Sequence, residues 1–328
     1  MTTSGRPGRG GQRDGAGGRR PGPAPLRMLW ITAVWGACFV VIRWALPDAP
    51  LLWFASLRAL VAGVALLAWG AARHRPSPSG RRAWSLVSAL ALVNVTLAFA
   101  AMFAGVAGLS AGTAAVLANA QPLLILVPAW RLYGERLGGS RIVGLFVGFA
   151  GLVFVALPGG GGKGAGLSLL AAAGITGGTL LSRRLAGLDL VMVSAWHFVI
   201  GGAVLAGIAA AVEGRPDVHW TLRFLVALAF LGLIGTALAF VAWFTETRRA
   251  PLGSVAAWTF LVPIFGLGLG VVLLGERPSG WTLVGVVVVL ASLWLSLRDS
   301  SSPARPGSAP IEAAGAPLAR ESFRDPGA

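Results

Sequence analysis

Between positions 28 and 297 the chain runs in apolar blocks separated by short polar turns. The blocks cover about 28–46, 51–71, 84–104, 111–131, 140–157, 165–183, 190–212, 222–244, 253–274 and 280–297. Each is close to the roughly 20 residues that cross a hydrocarbon core about 30 Å thick. A chain in lipid must satisfy its own backbone groups, which leaves helices or a closed barrel. No block alternates strictly between apolar and polar, as a barrel strand would. The pattern predicts an all-α integral membrane protein with ten transmembrane helices.

The blocks repeat at a fixed offset of 141. Leu97, Ala98, Phe99 and Phe103 recur as Leu238, Ala239, Phe240 and Phe244. Gly112, Ala115 and Pro122 recur as Gly253, Ala256 and Pro263. Gly134-Glu135-Arg136 recurs as Gly275-Glu276-Arg277, and Gly139 and Gly144 as Gly280 and Gly285. The expected organisation is a basic disordered tail (1–27), a first repeat (28–157), a Gly-rich linker (158–164), a second repeat (165–297) and a second disordered tail (298–328). An internal repeat within a many-span membrane chain points to a transporter.

Charge changes the picture only through topology. The chain is 55% hydrophobic and 12% charged, with a net charge of +15. Soluble domains carry about 25% charged residues. The basic residues sit in tails and alternate loops, with no stripe interleaved with exposed aromatics, so nucleic acid is excluded as a partner. With the N-terminus inside, the cytoplasmic loops hold eleven arginines: Arg73, Arg75, Arg81, Arg82, Arg131, Arg136, Arg141, Arg183, Arg184, Arg248 and Arg249. The outer loops hold five basic residues: Arg43, Lys163, Arg215, Arg223 and Arg277. The positive-inside rule then places both termini in the cytoplasm of a multi-pass inner-membrane protein. Five spans per copy is an odd number, so the copies insert in opposite directions. Two inverted five-helix repeats put a substrate site between them near the midplane.

With these residues in view, the chain resembles the drug/metabolite transporter superfamily, specifically EamA-type ten-helix transporters. The resemblance covers about 28–297. It rests on the hairpin from Pro122 through Gly134-Glu135-Arg136 to Gly144. Its counterpart runs from Phe244 through Arg248-Arg249-Ala250-Pro251, Pro263 and Gly275-Glu276-Arg277 to Gly285. Trp35-Gly36 and Arg58 in Phe54-Ala-Ser-Leu-Arg58 also fit the first repeat. The resemblance implies a secondary carrier for a small metabolite, such as an amino acid or related compound, frequently outward. Pro128, with leucine at its partner position 269, and the long tails depart from the pattern.

Pro122 and Pro263 sit mid-span, where proline removes a backbone hydrogen bond. They are packing kinks or hinges lining a pathway. Glu135 and Glu276 follow thirteen residues later, about 20 Å along a helix, and so fall at opposite membrane faces. There they close tight turns or act as gating charges. Arg58 lies inside the second span, where a charge at the helix centre costs about 2.5–3.5 kcal/mol on insertion scales. It snorkels outward or binds a substrate carboxylate or phosphate. His197 matches Arg58 in the seventh span once two residues are removed from the alignment. It is a packing histidine or the interior candidate for proton coupling.

Asn94, Asn119 and Gln121 fall near the middle of spans three and four. Their repeat partners, Gly235, Phe260 and Val262, are apolar. Polar groups present in one copy are less easily explained by the fold, so these three join Arg58 and His197 as substrate-site candidates. Trp35, Trp196 and Trp258 sit several residues inside their spans and are candidates to line the same cavity. No metal-ligand cluster, cofactor motif or nucleophile–base spacing stands out, and the glycines around Lys163 lack the residues of a phosphate loop. Expected partners are a small-molecule substrate, the bilayer and, as an open option, a second copy in a homodimer. Rival readings are a membrane-embedded enzyme on a lipid-linked substrate, using Glu246 with His197, and a non-transporting scaffold or sensor.

Overall fold

A computed structural model describes residues 22–133, 139–156, 162–185, 187–250 and 252–298, which are helical with no strand among them. Six helices are long and apolar enough to cross a membrane. They are α1 (Pro25–Ala45), α2 (Leu51–Ala72), α3 (Arg81–Gly108), α8 (Lys163–Arg184), α9 (Leu190–Val212) and α10 (Leu222–Arg249). The rest are shorter: α4 (Ala111–Ala118), α5 (Gln121–Leu124), α6 (Leu126–Tyr133), α7 (Gly139–Ala156), α11 (Leu252–Trp258), α12 (Leu261–Leu274) and α13 (Gly280–Arg298). Glu135 and both expected tails lie outside the described residues, apart from 22–27 and Arg298 at their inner edges.

Helix starts follow local chemistry. Ser110 Oγ accepts from Thr113 N at 3.1 Å, Asp189 Oδ1 from Met192 N at 3.0 Å, and Thr221 Oγ1 from Phe224 N at 3.1 Å. Each satisfies one of the free N–H groups of a first helical turn. Helix α12 stops at Gly275, whose φ of 65° needs a residue without Cβ.

Helices of one copy cross their counterparts in the other. A methyl group built on Gly63 of α2 would lie 2.8 Å from Val199 N of α9, and one on Gly202 would lie 3.1 Å from Leu60 N. Residue numbers rise on one helix as they fall on the other, so the pair runs antiparallel. The contact maps onto itself with an offset of 139, two less than elsewhere: Leu60 with Val199, Gly63 with Gly202 and hence Arg58 with His197. Helices α7 and α13 behave alike. Gly151 meets Val289 N and Gly285 meets Val155 N, each at 2.8–2.9 Å from the built methyl. Glycine at such crossings lets backbones approach, the usual device for packing without a hydrophobic drive between helices.

The remaining packing is unequal. Gly36 of α1 lies against Phe265 and Gly266 of α12, whereas its repeat partner Gly177 of α8 faces only Val93 of α3. Helix α8 instead lies along α3, through Gly174 on Ala98 and Gly164 on Gly108. The two copies share a fold and differ in which neighbour holds their first helix.

Candidate functional site

Two kinds of irregularity recur at matching positions and shape the middle of the bundle. Helix α3 has a π segment at Leu92–Leu97, and α10 has one at Phe230–Leu238. They end at residues exactly one repeat apart, Leu97 and Leu238. Such segments loosen the ladder and re-aim side chains, often at functional sites. The proline-bearing spans break just before the prolines: at Asn119 and Ala120 between α4 and α5, and at Thr259 and Phe260 between α11 and α12. Pro122 and Pro263 therefore lie in the first turn of a new helix, where a missing N–H costs little. Side chains bond back to carbonyls of the turn before each break. Asn119 Nδ2 donates to Ala115 O at 2.8 Å, and Thr259 Oγ1 donates to Ala256 O at 2.7 Å, the same position in the other copy.

Between these features lies a cavity of about 40 Å³. Its polar lining is Arg58, Cys38, Asn119 and Gln121. Trp35, Phe39, Phe99, Met102, Ile175 and Phe240 supply the apolar wall. A buried water needs about 10–15 Å³, so the space holds about three waters. Arg58 is only 2% exposed and does not snorkel. Its Nε donates to Thr236 Oγ1 at 2.8 Å, and Nη2 reaches Cys38 Sγ at 3.8 Å. The guanidinium carbon sits 4.6 Å from the Phe99 ring centre, within cation–π range. Nη1 has no partner. Three ion pairs occur among the described residues, Arg27–Glu246, Arg75–Asp189 and Arg223–Asp48, and none involves Arg58.

The other candidates divide. Gln121 is buried, with Nε2 on Thr179 Oγ1 at 2.8 Å. Trp35 donates from Nε1 to Gly235 O, in the α10 π segment, at 3.2 Å, and stacks near Phe240 and Trp243. These join Arg58 and Asn119 at the cavity. Asn94 is buried against Gly178 with its Nδ2 unpartnered, away from the cavity lining. His197 is fully buried among Phe198, Phe240 and Phe244, its Nδ1 3.2 Å from Val193 O. It touches the site only through Phe240. Trp196 packs on Trp84 and reaches Ser77, at an end of the bundle. Trp258 is half-buried against the core and does not line the cavity. Glu276 accepts from Ala111 N at 2.6 Å and Gly112 N at 3.1 Å, capping α4. Glu246 is buried and holds Arg27 and Ala24 N, which places its charge at the start of α1 and not in a catalytic pair with His197.

Cys38 and Thr236 escaped the sequence reading. Thr236 had a signal: its repeat partner is Val95, so it meets the same one-copy-polar criterion that singled out Asn94.

With this geometry in place, comparison with known proteins is decisive. The EamA-like transporter family matches residues 25–157 and again 162–298. The chain belongs to that family. Several of its relatives are named as transporters or efflux pumps. A WAT1-related chloroplastic protein of Arabidopsis thaliana is 31% identical over 276 residues, covering 80% of this chain and 66% of that protein. Protein PecM of Dickeya dadantii is 30% identical, covering 81% of this chain and 89% of its own. A protein of Escherichia coli named "Probable amino-acid metabolite efflux pump" is 25% identical, covering 82% and 93%. A solved crystal structure aligns with a TM-score of 0.63 at 21% identity, over 83% of this chain and 96% of that one, which shows that the two share a fold. Family and relatives make this a multi-pass membrane protein of a transporter kind, with a small molecule and membrane lipid as its partners.

Proposed function

We propose that the chain is an inner-membrane secondary carrier that exports a small metabolite, such as an amino acid or related compound. In this reading it crosses the membrane ten times, as inverted repeats 28–157 and 165–297 joined by 158–164, with both termini cytoplasmic and the tails accessory to transport. The observation that carries the reading is the cavity lined by Arg58, Asn119 and Gln121 between helices drawn from two copies of one fold. Alternating access needs a site at the repeat interface and two states of similar energy. The unequal packing of α1 on α12 and α8 on α3 supports it, since one fold that packs in two ways offers the two arrangements that alternating access exchanges. The cavity must widen to admit a metabolite.

The test is untargeted metabolite profiling of the culture medium with and without overexpression of the full chain. Specific compounds that accumulate outside cells with the protein, and equally when the tails are deleted, meet the expectation. An unchanged medium at verified membrane abundance refutes it.

A further inference from the structure

We propose that the central cavity takes a small organic acid, its carboxylate on Arg58 Nη1 and an N–H or O–H group on the amide oxygens of Asn119 and Gln121. This rests on the carrier reading and names its substrate class. A buried cation without a counter-ion is costly, and the cost falls when an anion arrives. Arg58 is such a cation on the cavity wall: Thr236 holds Nε, Cys38 meets Nη2, and Nη1 is buried with no hydrogen-bond partner. The same wall contains no carboxylate among the described residues. A cationic ligand therefore meets repulsion and no partner. One fixed positive charge balances one negative charge, which selects a monoanionic carboxylate over a phosphate dianion.

The opposite end of the ligand is set by the two amides, and their orientation is forced. Asn119 faces the carbonyl of Ala115, an acceptor only, so its nitrogen points there. Thr179 Oγ1 donates its proton to Ile175 O at 3.0 Å, so it accepts from Gln121, whose nitrogen must also point inward to the protein. The oxygen of each amide has no hydrogen-bond partner among the described residues. Both are acceptors, unsuited to an anion and suited to an amino or hydroxyl group.

Two arms test this. In the medium profile, every compound exported with the wild-type chain should carry a carboxylate. Its export should fall to background in Arg58→Gln and persist in part in Arg58→Lys, at equal membrane abundance. Exported compounds lacking an acid, or full export by Arg58→Gln, overturn the proposal while leaving the carrier intact. A medium that does not respond removes the carrier reading, and the second arm then decides the charge preference alone. Cys38, the only cysteine, lies on the cavity wall beside Arg58. In the purified full chain its rates of reaction with anionic 2-sulfonatoethyl and cationic 2-trimethylammonioethyl methanethiosulfonate are compared, each relative to a free thiol. The wild type should favour the anionic reagent by at least about tenfold, as a unit charge this near implies, and Arg58→Gln should lose the preference. Equal rates, a cationic preference or no reaction with either reagent overturns the proposal.

Discussion

Replacing Gly63 by alanine tests the central crossing of α2 on α9, which carries Arg58. The added methyl would lie 2.6 Å from Val199 Cγ2 and 2.8 Å from Val199 N. Ordinary contact begins near 3.4 Å. The side chain can turn aside, but the backbone nitrogen cannot, so the helices must part by about 0.6 Å, the difference between 3.4 and 2.8. Overpacking of this kind costs about 1–3 kcal/mol. The matching change, Gly202→Ala, meets Leu60 N at 3.1 Å and needs only about half that shift. Both changes gain the same helix propensity, up to about 1 kcal/mol, so the ranking survives even where that gain offsets part of the cost. Thermal unfolding of the purified chain in detergent should show Gly63→Ala lowering Tm by about 2–6 °C and Gly202→Ala by clearly less. The double variant should fall short of the sum, because parting the helices at one glycine relieves the other. A larger loss for Gly202→Ala, or strict additivity, refutes the antiparallel contact as described.

Other outcomes follow from single contacts. Glu276→Gln leaves one of the two N–H groups of α4 facing an amide NH₂ and should cost about 1–3 kcal/mol, read as a lower Tm; an unchanged Tm removes Glu276 as a cap. Thr236→Val takes the acceptor from Arg58 Nε and should reduce export more than Thr236→Ser does, at matched membrane abundance. Gln121→Ala and Thr179→Val should lower export to a similar degree, because Thr179 holds the Gln121 nitrogen; normal export in Thr179→Val shows that this bond does not orient the site. Single cysteines at 163 and 215 in a Cys38→Ala background should label with an impermeant thiol reagent in intact cells, and those at 82 and 249 should not; outside labelling at 249 refutes the inverted insertion.

Much of the site lay within reach of residue patterns. Arg58, Asn119, Gln121 and Trp35 stand out as polar or aromatic positions inside spans, and all four line the cavity. The one-copy-polar criterion picked out Asn119 and Gln121, which line the cavity, as a group the fold does not repeat tends to face what the fold does not fill. It fits Thr236 too, opposite Val95, which was not singled out among the polar positions. It also offered no means of separating Arg58 from His197. These two occupy equivalent places on crossing helices, yet one faces the cavity and the other an aromatic cluster. Packing of the first helix of each copy differs, and a local alignment carries no record of it.

Hydrophobic block length, an offset of 141 and the distribution of arginine suffice for helices, repeat and the expectation of opposed insertion, because each follows from the chain's own transfer free energy and spacing. Three things needed the folded chain. The spans of Pro122 and Pro263 break before the prolines, and the side chains of Asn119 and Thr259 bond back to carbonyls of the preceding turn. The π segment of α10 carries Thr236, which meets Arg58, and Gly235, whose carbonyl meets Trp35. And Arg58 is left buried with one unpartnered nitrogen, because burial and partnership are properties of several helices at once, decided only when they pack.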